Sequence, residues 1–177
     1  MFEIETPNGT NDGVALTTLH AFTDGTIDGS APTGGVYFAQ NGMALLGTTT
    51  KGGANAAGTV YELSGPANTE TIVHSFSCAT SDVCDAQGTL IADVNGNFYG
   101  TGLSGGSASG GGGFILTLQS NATYIESLLF SLTGGTNGSS PASALAIGGT
   151  KLYGVSGSGG TGNCDGHPCG VLFSSLE

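Results

Sequence analysis

Short apolar runs alternate with turns rich in glycine, asparagine and aspartate along the whole chain. Runs such as Gly58 to Leu63 and Thr71 to Phe76 combine β-branched with aromatic residues, the composition that strands favour. In the stretch from Asp93 to Thr101, Asn95-Gly96 precedes the apolar pair Phe98-Tyr99. An Asn-Gly turn between apolar runs indicates a two-residue β-hairpin turn with positive φ at both turn residues. The pattern therefore predicts an all-β chain built from hairpins.

The hairpin pattern recurs at a regular interval along the chain. Equivalent turns occur at Asn41-Gly42, Asn95-Gly96 and Gly148-Gly149. The glycine in the strand after each turn keeps nearly the same spacing, at Gly47, Gly100 and Gly154. The period is roughly 54 residues, close to that of propeller repeats. Four strands, A to D, fit each period, and tandem four-stranded antiparallel sheets are typical of β-propeller blades.

The predicted strands form a single β-repeat domain, residues 1–177, that begins and ends out of phase with its repeat. In chain order they are C-D, A-B-C-D, A-B-C-D and A-B-C. This predicts three tandem four-stranded repeats with an extra N-terminal strand pair and an incomplete last repeat. The divisions are a partial repeat at 1–34, repeats at 35–88 and 89–141, and a partial repeat at 142–177. Strand A is expected at 35–39, 89–92 and 144–147, and the first strand D at 14–22.

Charge and hydropathy exclude several classes of partner. The formal net charge is −11, with two lysines and no arginine, so the chain lacks the cations that bind nucleic-acid phosphates or anionic membranes. No apolar run approaches the length of a membrane-spanning helix, so no such segment is expected, and the first residues lack a signal-peptide pattern. Glycine supplies 34 of 177 residues without a collagen period, and the apolar runs between glycines argue against disorder.

Four cysteines fall in two close pairs, Cys78 with Cys84 and Cys164 with Cys169. One interpretation is metal binding, because Cys164 and Cys169 have nearly the spacing of zinc ligands and enclose His167. The other is two local disulfides in turn-rich inserts between strands. We predict disulfides, which indicate an oxidising, extracellular compartment.

Two acidic turns resemble calcium loops. Asp93 to Asn97 begins like one, but the bidentate glutamate that a full loop needs is missing, so a plain hairpin turn is predicted. The turn from Asp24 to Asp28 could offer two carboxylates to Ca²⁺, but a solvated turn is the favoured interpretation.

No catalytic, cofactor-binding or metal-binding residue is predicted. His20 and His74 occupy the repeat position at which Phe130 stands later, and exchange with phenylalanine indicates half-buried packing. No nucleophile elbow or phosphate-binding loop occurs, and the carboxylates are too scattered to nominate an acid–base pair. The chain is therefore predicted not to be an enzyme and to need no cofactor.

The repeat resembles a known family. Its features are a glycine-rich segment followed by Gly58-Thr59-Val60-Tyr61-Glu62-Leu63, a His-Ser-Phe strand at 74–76, and Asn95-Gly96-Asn97-Phe98-Tyr99-Gly100-Thr101. This pattern is similar to the bacterial GloVer tandem repeat, most clearly over residues 13–118. The third repeat departs from it, with Val155 in place of threonine and a cysteine-bearing insert. The resemblance implies a secreted, surface-anchored β-repeat protein with a propeller-like or stacked architecture, and it transfers no functional residue.

The leading hypothesis is a non-enzymatic extracellular structural protein that self-associates. Three blades cannot close a propeller, which takes four or more, so two chains could complete a ring. Alternatively, chains could join head to tail into a filament, or the repeats could close on themselves. The second hypothesis is a carbohydrate-binding module with glycan partners, although the chain contains no tryptophan.

Overall fold

The structure is a computed structural model that describes residues 2–4, 16–39, 43–108, 110–119, 123–141 and 143–176. The described residues form β-strands joined by turns, with one 3-10 turn at Gly135–Asn137 and no α-helix. The strands β1 to β14 are Phe2–Ile4, Leu16–Thr18, Gly29–Pro32, Tyr37–Ala39, Ala44–Gly52, Thr59–Ser64, Thr69–Ser75, Val83–Ala92, Phe98–Gly105, Gly112–Leu118, Tyr124–Ser131, Ala146–Gly148, Lys151–Ser156 and Val171–Leu176. The predicted all-β class is confirmed.

These strands form four sheets, taken in chain order. β1 and β2 make a two-stranded sheet. In the first large sheet β3 and β4 pair one after the other with two parts of the same edge of β5, and β6 and β7 follow on its other edge. The second large sheet has the order β8-β9-β10-β11, and the last sheet has β12-β13-β14. All pairs are antiparallel, and the large sheets are consistent with propeller-like blades. The number of repeats and the closure of a ring stay predictions.

Strand A differs from its predicted bounds in every repeat: the first and third are shorter, at Tyr37–Ala39 and Ala146–Gly148, and the second is longer. The first large sheet gains β3 from residues that lie between the predicted strands D and A, and β8 begins at Val83 instead of at Thr89. The expected boundary between residues 88 and 89 therefore falls inside β8. The ladder between β8 and β9 is irregular between Gln87 and Ile91, and Gly88 there has a φ of 83°. A bulge bends a strand and adds an unpaired residue, so the alternation of apolar and polar residues is interrupted there.

Two predictions near the start of the chain are tested only in part. The strand expected at 14–22 is observed as β2, Leu16–Thr18, and residues 14 and 15 lie outside the described residues. The predicted Asn41-Gly42 turn lies wholly outside them.

The hairpin between β8 and β9 is organised by Asp93. One carboxylate oxygen accepts the backbone N–H groups of Asn95 and Asn97, at 2.8 and 2.9 Å. The other accepts the Asn97 amide at 2.7 Å and the Tyr99 hydroxyl at 3.2 Å. The hairpin is present, but the prediction of positive φ at both turn residues was wrong, because only Gly96 has it. The Asp93 side chain bridges the turn from Asp93 to Asn97, so the turn closes without a left-handed backbone conformation at Asn95.

The Asp93 hydrogen bonds are expected to make this hairpin sensitive to acid. Burial raises the pKa of Asp93, but hydrogen bonds from Asn97, Asn95 and Tyr99 outweigh it and hold the pKa below its ordinary value. A carboxyl group with a depressed pKa stabilises the fold at pH values above its ordinary pKa. This stabilisation is lost as the pH falls through the depressed pKa. Asp93→Asn is expected to lower the free energy of unfolding by about 1 kcal/mol at neutral pH. Urea titrations at neutral pH and in acid measure the difference, and an equal loss under both conditions would contradict this origin.

The two large sheets and the last sheet pack against one another in chain order. One apolar cluster joins the first and second large sheets, and it contains among its fully buried members Val60, Phe76, Leu90 and Phe114. A smaller cluster joins the second large sheet to the last one through Tyr99, Leu145 and Leu152.

The repeated glycine of strand B has a steric cause. A Cβ at Gly100 would collide with the ring of Phe114 on the neighbouring strand β10. The same contact recurs in the other sheets, between Gly47 and Tyr61 and between Gly154 and Phe173. Each aromatic ring therefore lies over a glycine, which is why this residue recurs at the same place in every repeat.

Candidate functional site

Both cysteine pairs form disulfides. The Cα atoms of Cys78 and Cys84 are 4.9 Å apart, and those of Cys164 and Cys169 are 5.3 Å apart. No free cysteine occurs in the described part of the chain. The zinc alternative at the second pair is not what the structure shows, because its sulfurs are bonded to each other and His167 is exposed. These bridges fit the expected extracellular location.

Two histidines that were expected only to pack lie in polar clusters. The first cluster contains His20, Asp28 and Glu70, and its three ligand-type atoms lie within 4.8 Å of one another. His20 Nε2 is 3.2 Å from Asp28 Oδ1. The backbone N–H and the hydroxyl of Thr23 both donate to Asp28 Oδ2, each at 2.7 Å. The His20 ring also meets Phe22 edge to face, 4.7 Å away, so the packing interpretation describes one face of this side chain.

The second cluster repeats the first, one period later for the histidine and the aspartate. It contains His74, Asp82 and Glu126, again within 4.8 Å. His74 Nε2 is 3.4 Å from Asp82 Oδ2 and 3.9 Å from Glu126 Oε2. The backbone N–H and hydroxyl of Ser77 donate to Asp82 Oδ2, each at 2.8 Å. The open side of the cluster is a cleft bordered by Ser81, among other residues.

Each cluster lies between consecutive sheets. His74 is near the end of β7, Asp82 immediately precedes β8, and Glu126 is in β11. The ladder between β6 and β7 has a bulge just before His74, and bulges re-aim the side chain that follows them. The turn that carries Asp82 is closed by the disulfide from Cys78. The second cluster thus connects the outer strands of both large sheets.

Burial and local charge separate the pKa values within the clusters. Burial raises the pKa of Asp82, but hydrogen bonds from His74 and Ser77 outweigh it and hold the pKa below its ordinary value. The pKa of Asp28 shifts in the same direction through its equivalent partners. Burial, together with the nearby Asp82 charge, raises the pKa of Glu126 to about 7. Burial and the equivalent aspartate also raise the pKa of the glutamate in the first cluster. Each cluster therefore holds one firmly ionised aspartate and one glutamate whose ionised form is disfavoured.

The third equivalent position lacks the cluster. Phe130 follows a bulge in β11, as His74 does in β7, and its ring meets Phe173 edge to face at 5.3 Å. The residue equivalent to the aspartate is Gly138, where a Cβ would collide with Ser156. Phenylalanine and glycine therefore replace the histidine and aspartate together.

Sequence reasoning did not place carboxylates beside the histidine in either cluster. The prediction that the turn at residues 24–28 is solvated was wrong for Asp28, which is 5% exposed. Asp24, which was considered with it for Ca²⁺, is exposed and accepts a hydrogen bond from Ser30 instead. A signal was present in the equal His–Asp separation at both places. The glutamates carried no such local signal, because they come from another sheet.

In the described residues, no helix has the length and apolarity that a membrane crossing needs.

One solved structure to which the chain is similar is an α-L-arabinofuranosidase from Clostridium thermocellum. The match has a TM-score of 0.47 and 11% sequence identity, and it covers 87% of this chain and 49% of that one. This chain thus spans about half the length of that structure. No curated protein matches the chain.

A family profile described as the Gloeobacter/Verrucomicrobia repeat matches residues 2–175. The match confirms the resemblance inferred from the repeat pattern, and it extends through the third, divergent repeat. This chain belongs to the Gloeobacter/Verrucomicrobia repeat family.

Proposed function

We propose that this chain is a non-enzymatic, extracellular structural module that self-associates through the outer face of its last sheet. The observation that carries the proposal is the exposure of positions in β13 and β14 whose equivalents are buried in the sheets before. Val155 is 48% exposed, whereas Thr48 and Thr101, which occupy the same place beside the strand-B glycine, are 2% and 1% exposed.

The exposed positions share one face of the sheet, and most of them are apolar. Val155 pairs directly with Leu172, and residues paired across a ladder share a face of the sheet. Leu172 is 76% exposed, whereas its equivalent Val60 is fully buried. Tyr153 and Leu176 extend the same face, because each lies an even number of residues along its strand from this pair.

In the two large sheets the equivalent face is covered by the following repeat. Thr48 donates its hydroxyl to the carbonyl of Gly88, in the next sheet along the chain, at 3.4 Å. Thr101 donates in the same way to Ser143 at 3.0 Å. In both sheets the acceptor lies in or just before strand A of the following repeat. A second copy of this chain offers a repeat of that kind. We therefore infer that a second copy covers this face, in a closed ring or a head-to-tail filament.

Leu172→Glu is expected to abolish self-association, because it places a charge in the centre of the proposed contact. In sedimentation velocity or light scattering, the wild type is expected to show a concentration-dependent oligomer and the variant a monomer. Val94→Glu is the matched control, since Val94 is fully exposed in the β8–β9 turn, away from this face. A wild-type chain that stays monomeric at high concentration would refute the proposal.

The carbohydrate-binding hypothesis stays a prediction. Among the described residues no cluster of exposed aromatic side chains favours it over self-association. A glycan array that shows no binding by the wild type would eliminate it.

A further inference from the structure

The second cluster contains two buried carboxylate oxygens without partners. Asp82 is 6% exposed, and the Glu126 side chain is 7% exposed. Within the described residues Asp82 Oδ1 and Glu126 Oε1 have no hydrogen-bond partner. In the first cluster Glu70 Oε1 is in the same condition. A buried acceptor without a partner costs free energy, and two carboxylates side by side add repulsion.

The donors in each cluster suit a particular kind of ion. One imidazole nitrogen and two carboxylate oxygens form a mixed N/O set, and imidazole favours Zn²⁺ over the hard cations Ca²⁺ and Mg²⁺. Two ligands on one tetrahedral Zn²⁺ lie about 3.4 Å apart, given bonds of about 2.1 Å. His74 Nε2 is already 3.4 Å from Asp82 Oδ2 and 3.9 Å from Glu126 Oε2. The three ligand atoms lie within 4.8 Å of one another, so the carboxylates have to draw inward around the ion to complete a three-ligand site.

Other groups around the aspartates support this arrangement. Ser77 holds Asp82 through its backbone N–H and its hydroxyl, and Thr23 holds Asp28 in the same way. Such hydrogen bonds fix a ligating carboxylate in place and are common around metal sites. The cleft beside Ser81 leaves the second cluster open to solvent, so an ion has a route in and water can fill a fourth position.

We propose that each cluster is a Zn²⁺ site: His20, Asp28 and Glu70 form one, and His74, Asp82 and Glu126 form the other. Each ion would join a histidine and an aspartate from one part of the repeat to a glutamate on the outer strand of the next sheet. Zinc would then clamp consecutive sheets together at the outer strands, where the apolar core ends. The third position, with phenylalanine and glycine, has no site and uses ring packing instead.

The test measures zinc binding to the full chain after treatment with a chelator. Isothermal titration with ZnCl₂ is expected to give two sites per chain, and saturating zinc is expected to raise the melting temperature by roughly 10 °C. Co²⁺ should give the visible absorption of a tetrahedral complex.

Single variants assign the sites. Glu126→Gln and Glu70→Gln are each expected to leave one zinc site and about half of the rise in melting temperature. The double variant is expected to bind no zinc and to show no rise. His167→Ala is the control for adventitious binding by an exposed histidine, and it should keep both sites. Circular dichroism of each metal-free variant shows whether it folds. The proposal is overturned if wild type binds no zinc at millimolar concentration, or if the stoichiometry is unchanged in the folded double variant.

Discussion

Phe76→Ala is expected to lower the free energy of unfolding by about 3–5 kcal/mol. Phe76 is fully buried where the first large sheet meets the second. Its ring meets those of His74 and Phe114 edge to face, each at 4.9 Å. Removing it deletes apolar contacts with both sheets and leaves a cavity beneath the second cluster, which the rigid ladders on either side cannot close.

Phe38→Ala is the matched control, because Phe38 is 67% exposed. A change within about 0.5 kcal/mol is expected there. Urea unfolding followed by far-ultraviolet circular dichroism gives both values, since the chain has no tryptophan. A loss for Phe76→Ala as small as that of the control would mean that the two sheets do not share this core.

Asp82→Asn is expected to cost about 2–3 kcal/mol, because it weakens hydrogen bonds to a buried charged acceptor. One Asp82 oxygen takes bonds from the Ser77 backbone and hydroxyl and lies 3.4 Å from His74. The neutral amide keeps the shape but loses the charge that these donors favour. The loss should be largest in mild acid, where Glu126 is protonated and Asp82 is still ionised. Above the raised pKa of Glu126 the substitution also relieves repulsion between the two carboxylates, so the loss should shrink.

Asp24→Asn provides the comparison in the equivalent turn of the preceding repeat. Asp24 is exposed and accepts one hydrogen bond, from Ser30, so a change within about 0.5 kcal/mol is expected. Both variants are measured in a chelator, so that metal binding does not contribute. Equal losses for the two variants would show that Asp82 does not organise its turn.

The architecture was largely readable from the sequence because its causes are local and repeated. Alternation of apolar residues, turn glycines and the regular repeat spacing each depend on a few neighbouring residues. They predicted the sheet class, the order of strands and the family. The early start of β8 at Val83 was missed because its bulge follows from pairing with β9, and polar residues around Gly88 resemble a loop.

The clusters were harder to predict for a different reason. His20 and His74 were compared with Phe130 and taken for packing residues, and their rings do pack edge to face on Phe22 and Phe76. Comparison with phenylalanine indicated the packing of each histidine ring but not the polar contact that its nitrogen makes. The aspartates follow their histidines at a distance that a turn can close, and were within reach of a repeat comparison. The glutamates were not, because nearly a whole repeat separates them from their histidines.

Composition and periodicity decided that this chain would form glycine-rich antiparallel sheets with disulfide-closed loops, since each of those properties needs only short-range geometry. Tertiary structure decided which residues meet between sheets. It brings Glu126 of one outer strand to His74 and Asp82 of the previous repeat, and it leaves Val155 and Leu172 exposed where the earlier sheets bury their counterparts. Stacking one sheet on the next creates both features, because a contact between repeats exists only once the repeats are packed.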